Sequence, residues 1–127
     1  MSDPEQWLAF ARDDVRIAQL AMREGLFNQV CFHCQQCVEK SLKALIVHQG
    51  LVPPRIHKLP DLLSQVHAAP LAAMATEIQL LDRFYTTTRY PGFTPDVSQS
   101  LPNQRDAEEA LEIAQRVLAY VTDLVAA

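Results

Sequence analysis

Between Gly25 and Gly50 the chain runs for 24 residues, Leu26 to Gln49, without a single glycine or proline. A stretch of that length and composition predicts one long α-helix with a glycine at each end as punctuation. Successive helical residues turn by about 100°, so spacing decides which side chains share a face. Cys31, Cys34, Val38, Leu42 and Leu45 fall on one apolar stripe, with Ile46 at its edge. Gln36, Lys40 and Lys43 line up on the opposite side, flanked by His33 and Glu39. The expectation is one face built for a core and one solvated polar face.

The segments on either side are helical too. Ser2 or Asp3 can cap a first helix with Pro4 at its first position, and that helix should run to about Glu24, closed by Gly25. Trp7, Leu8, Phe10, Ala11, Val15, Ile17, Ala18, Ala21 and Met22 give it a wide apolar face. Asp14 falls near the middle of that face, where a carboxylate is costly unless it is paired or reaches solvent. Lys40 is the first choice of partner. After Gly50, Pro53 and Pro54 stiffen a connector that carries His57, expected to hold it in place by hydrogen-bonding backbone. A short helix follows from Leu59 to about His67. Another is expected from about Leu71 to Thr87, with Leu71, Met74, Ile78, Leu81 and Phe84 at helical spacing. Pro91, Gly92, Pro95 and Pro102 make 89–103 a loop, and Asn103 can cap a last helix that reaches Ala126. The product is an all-α, up-and-down four-helix bundle with one additional short helix, in a single domain spanning residues 1–127.

The 127 residues suffice for a hydrophobic core without disulfide or metal support. No run approaches the roughly 18 uncharged apolar residues of a membrane span, and the polar N-terminus is unlike a secretory signal. A cytoplasmic protein is expected. The formal net charge of −4 disfavours an extended nucleic-acid surface but leaves room for a local basic pocket.

Chemistry-bearing residues are few. Cys31, Cys34 and Cys37 have a Cys-x-x-Cys-x-x-Cys spacing, but within a helix the thiols fan apart and a fourth ligand is missing, so core packing is expected and no metal. No hydrolytic triad is identifiable, and no glycine-rich phosphate loop or cofactor motif. The cluster Arg83, Arg89 and Tyr90 is the best candidate site. Arginine forks bind phosphate in a bidentate way, and a tyrosine ring can stack on a base. Lys40 or Lys43 could join them in one cationic pocket; alternatively Arg83 and Arg89 pair with Glu39, Glu77 or Asp82 and order the loop.

The run from Phe32 to Leu45, which contains Gln35-Gln36, Glu39-Lys40 and Leu42-Lys43-Ala44-Leu45, resembles the signature helix of HEPN-domain proteins. The likeness continues through Gly50, Pro54, His57-Lys58-Leu59 and Leu62-Leu63, then Tyr85 and Arg89-Tyr90-Pro91; Lys58 replaces the usual acidic residue. The resemblance implies a helical bundle that often dimerises and often acts beside a minimal nucleotidyltransferase, in pairs resembling toxin–antitoxin modules. It also implies nucleotide binding; on the reading adopted here Lys40, Lys43, Arg83 and Arg89 are expected to supply phosphate contacts, Tyr90 stacking and Gln36 a hydrogen bond, with Asp14, Glu39 and His57 in support. Many HEPN proteins are metal-independent RNases that use Arg-x(4–6)-His, a pattern no arginine here completes. The leading expectation is therefore a non-catalytic, ligand-binding accessory subunit of a nucleotidyltransferase. A divergent RNase toxin using Arg89 with His57 or His33, and a purely structural assembly partner, are the alternatives.

Overall fold

A computed structural model describes residues 3–84 and 101–127. These residues form helices α1 (Pro4–Arg23), α2 (Phe27–His48), α3 (Leu59–Leu63), α4 (Ala69–Ala73), α5 (Ala75–Asp82) and α6 (Gln104–Ala126). The bundle is built on α1, α2 and α6, with α4 and α5 together supplying its fourth member and α3 the extra short helix.

Local chemistry accounts for the helix ends. Asp3 caps α1 by accepting from the Gln6 amide while the Gln6 side chain accepts from the Asp3 amide. Asn103 and Asp106 make the same reciprocal pair at the start of α6. Gly25 and Gly50 both lie at positive φ, 72° and 86°. Beyond each, the next residue's N–H reaches back to the carbonyl five positions earlier: Leu26 to Ala21, and Leu51 to Ile46. That is the Schellman termination, which only glycine enters without steric cost. The first of these turns folds α2 back against α1 as an antiparallel hairpin.

Two expected helices differ from what their spacing predicts, one ending early and one divided. α3 stops at Leu63 instead of near His67 because the Gln49 side-chain amide clamps the segment beyond it, donating to the Gln65 carbonyl at 3.0 Å and accepting from the His67 N–H at 3.0 Å. The helix expected from about Leu71 starts at Ala69, with Pro70 in its first turn, and is divided at Met74, whose N–H bonds to the Leu71 carbonyl. Beyond that tightened turn α5 resumes at Ala75. The last stretch of the expected helix, Tyr85 to Thr87, lies outside the described residues.

The core is a single cluster. Leu8, Ala11 and Ala18 of α1 meet Val30, Cys34, Val38, Leu42 and Ile46 of α2, with Ala107, Ala114, Val117 and Val121 of α6. Leu59 and Leu62 of α3, Leu71 of α4, and Ile78 and Leu81 of α5 complete it. Arg116 ties α6 to Glu77 of α5 at 3.1 Å. Helix α2 is central, with α1, α6, α3 and α5 all packed on it. No residue from Val30 to Val47 is fully exposed. The solvated polar face expected for this helix is thus corrected: most of it is covered by neighbouring helices.

Nothing lies within 4 Å of where a Cβ would stand at Gly25 or Gly50. The cost of an alanine at either is therefore conformational only. Gly25→Ala and Gly50→Ala should each lower unfolding free energy by about 1–2 kcal/mol with an unchanged denaturant slope, read from urea titrations.

Candidate functional site

Two buried carboxylates organise the polar side chains of the interior. Asp14 of α1 and Glu39 of α2 are each 4% exposed. An isolated carboxylate at such depth would be strongly disfavoured, and each is bridged by a lysine of α2 and a histidine. Lys40 Nζ lies 2.6 Å from Asp14 Oδ2, and His33 Nδ1 lies 2.9 Å from Asp14 Oδ1. Lys43 Nζ lies 3.2 Å from Glu39 Oε2, and His57 Nδ1 lies 3.1 Å from Glu39 Oε1. A carboxylate can only accept, so Nδ1 carries the hydrogen in both imidazoles.

The Glu39 group extends further. Gln36 Nε2 donates to Gln35 Oε1 at 2.8 Å and reaches Glu39 Oε1 at 3.4 Å. Fully buried Gln35 donates to the His57 carbonyl at 3.2 Å and to Asp82 Oδ1 at 3.3 Å. Asp82 also accepts from the Leu59 N–H at 3.1 Å, one of the amides at the start of α3 that helix geometry leaves without a partner. The Lys43 ammonium lies 5.6 Å from the centre of the Trp7 ring, within cation–π range. One hydrogen-bonded chain thus joins α2, the proline connector, α3 and α5. Every buried side-chain nitrogen and oxygen among the described residues has a partner.

Sequence reasoning paired Asp14 with Lys40, and the structure makes that pair. It placed His57 correctly in the connector but expected the imidazole to bond backbone, whereas the imidazole meets the Glu39 side chain and the His57 carbonyl accepts from Gln35. Gln36, Glu39 and Lys43 come together as one network, at a depth a two-sided helical wheel did not foresee. The paucity of ionisable groups in α2 was the available signal: aside from its thiols, residues 30–47 hold only His33, Glu39, Lys40 and Lys43. For His33, which flanks the polar face, spacing gives no sign of the bond to Asp14. Arg83 pairs with Asp106 of α6 at 3.8 Å, away from both buried carboxylates, and stacks over the Phe84 ring at 4.6 Å. Lys40, Lys43 and Arg83 each pair with a different carboxylate, Asp14, Glu39 and Asp106. Arg89 and Tyr90 lie outside the described residues.

The three cysteines are fully buried and unpaired with one another. Burial pushes the Cys31 and Cys37 thiols up to about 12 and raises Cys34 as well, its neighbouring thiols adding to the effect. They are small core hydrophobes, as expected. No group of three or more metal-ligating side chains occurs among the described residues.

Three outcomes check these assignments. Glu39→Leu should destabilise the protein by about 3–5 kcal/mol because it strands the Lys43 ammonium in the interior, while adding Lys43→Met should recover most of that loss in a double-mutant cycle. Alkylation with iodoacetamide at pH 8 should label none of the cysteines in the native protein and all three once it is unfolded. Thiols of the unfolded chain ionise near 9.0, so the stability they carry is complete below that pH and is lost as pH rises from there to about 12.

A protein of Methanocaldococcus jannaschii named "Putative toxin MJ1304" is 25% identical over 127 residues, covering 91% of this chain and 83% of its own. The crystal structure of TT1696 from Thermus thermophilus superposes with a TM-score of 0.85 at 32% identity, covering 97% of this chain and 98% of that one. The crystal structure of ST0689, an archaeal HEPN homologue, gives a TM-score of 0.78 at 31% identity, covering 98% and 99%. The HEPN domain family model matches residues 4–124, which is nearly the whole bundle, and the chain belongs to the HEPN domain family.

Proposed function

We propose that the protein is the HEPN subunit of a toxin–antitoxin-like pair, a non-catalytic partner of a minimal nucleotidyltransferase that binds a phosphate-bearing ligand and works as a homodimer. The observation that carries this reading is the combination of a full-length family match with the lack of any Arg-x(4–6)-His in the sequence. The deep burial of Glu39 and Lys43 is consistent with it, because side chains already committed to each other are poor acid–base catalysts but good scaffolding. Phosphate contact from the signature helix then falls to Lys40, whose side chain keeps 25% of its surface. Arg83 serves the same reading from the end of α5, its side chain 56% exposed and 3.8 Å from Asp106. Exposed Phe10, Ile17 and Leu20 on the outer side of α1 offer apolar area for a second copy.

The archaeal relative with toxin in its name favours a second reading, an RNase toxin with a divergent site. In that reading His33 or His57 supplies the acid–base group and Arg89 the cation.

Two measurements separate the readings. Isothermal calorimetry with ATP and AMP, performed with and without a co-expressed nucleotidyltransferase, should show saturable binding; silence in both settings overturns the ligand-binding proposal. Expression of this chain alone should leave cellular RNA intact. Growth arrest with RNA cleavage that Arg89→Ala abolishes would replace the first reading with the second.

A further inference from the structure

Of the two carboxylate-centred groups, the one at Asp14 is built differently from the one at Glu39. Its lysine and histidine both come from α2, at positions 33 and 40, seven residues and two helical turns apart on the same side of that helix. Both reach the two oxygens of one carboxylate projecting from α1. The carboxylate side chain is only 6% exposed, while His33 keeps 21% and Lys40 25% of their side-chain surface. From solvent, therefore, the cations are met before the anion. Asp14 spends one oxygen on each of them, which fixes both heads in position.

We infer that Asp14, His33 and Lys40 form a binding site for a phosphate-class dianion, in which His33 Nε2–H and the remaining hydrogens of Lys40 Nζ donate to the ligand and Asp14 holds the two donors. The inference rests on the phosphate-ligand reading above and gives that ligand a place on the bundle. Among the described residues His33 makes one side-chain hydrogen bond, through Nδ1 to Asp14, so Nε2 is available on the other side of the ring. The Phe32 ring packs edge-on against the imidazole at 5.2 Å and limits its rotation. Three hydrogens on the ammonium leave two beyond the one given to Asp14. With His33 protonated the cluster carries a net charge of +1, and with His33 neutral it carries zero, so the anion binds together with a proton. The groups that meet the cluster are Asp14 from α1, and Lys40 with the Cys34 and Cys37 thiols from α2. Burial keeps those thiols protonated, so they add no charge. No ion pair among the described residues joins the cluster to a charge on α6. The Glu39 group lacks this design: its lysine is 7% exposed and spent on Glu39 beneath Trp7.

The test follows the imidazole resonances of His33 by NMR, assigned with His33→Gln. Inorganic phosphate and AMP should each shift them saturably at pH 7, and adenosine should not. Lys40→Met should weaken phosphate binding about ten-fold or more, and Lys40→Arg should restore most of it. His33 resonances unmoved by phosphate and AMP overturn the site, as does a shift that adenosine produces equally well. If ATP calorimetry is positive while those resonances stay still, the ligand reading stands and only its placement at Asp14 falls. If calorimetry is silent and phosphate still moves His33, the site stands as an anion site without a nucleotide.

Discussion

The Glu39 carboxylate is the group on which the arrangement of this bundle depends. It is buried in the central helix, and almost everything polar nearby is positioned to neutralise or solvate it: Lys43 one turn on, Gln36 one turn back, and His57 from the proline connector. The connector has no regular structure of its own, and two prolines deny it backbone donors. It is held instead through His57, by its imidazole on Glu39 and its carbonyl on Gln35. Because Leu59 follows two residues later, the anchoring also fixes where α3 begins and how Asp82 of α5 meets it. A buried ion pair is weak evidence of net stability, since an apolar pair of the same shape often serves as well. Its value here is positional. A charge at that depth admits few alternative packings of α3 and α5 against α2.

This view changes how the signature helix is understood. The residues that identify the family at sequence level, Gln35, Gln36, Glu39, Lys40 and Lys43, face inward or sit at the rim of the interior. A motif rich in amide and charged groups invites a reading as a surface for ligands. In this chain it first answers a folding problem, the attachment of short, weakly helical segments to a long rigid one. Polar side chains that keep solvent contact, among them His33, Lys40 and Arg83, lie at the rim of that interior.

Much of the fold was legible because its cues are local. Asp3 before Pro4, glycine at 25 and 50, and Asn103 three residues before Asp106 each act within one turn of helix, so sequence suffices to find them. The Asp14–Lys40 pair was legible for another reason: a carboxylate amid Ala11, Val15 and Ala18 needs a cation, and few were on offer. What escaped depends on tertiary contact. The Gln49 amide that ends α3 acts across 16 and 18 residues of sequence. The break at Met74 occurs in a stretch whose apolar spacing continues through it. The burial of Glu39 and Lys43 required knowing that α2 is covered from several sides, whereas a helical wheel assumes one covered side.

The central position of α2 also bears on how the chain comes to be folded in a cell. Its contacts with α1 are close in sequence and available early, since the hairpin needs only the turn at Gly25. Its contacts with α6 involve residues more than 50 positions downstream, among them Ala114, whose carbonyl lies 3.9 Å from the Cys37 thiol. During synthesis at about 5–20 residues per second, α2 must wait several seconds with one apolar flank bare before α6 leaves the ribosome. In that interval the nascent hairpin lacks the helix that covers Cys37, and a thiol that the finished bundle seals away is open to oxidation. Until α6 emerges, the same burial that makes the folded thiols inert is missing, and the hairpin is open to aggregation and to redox damage alike.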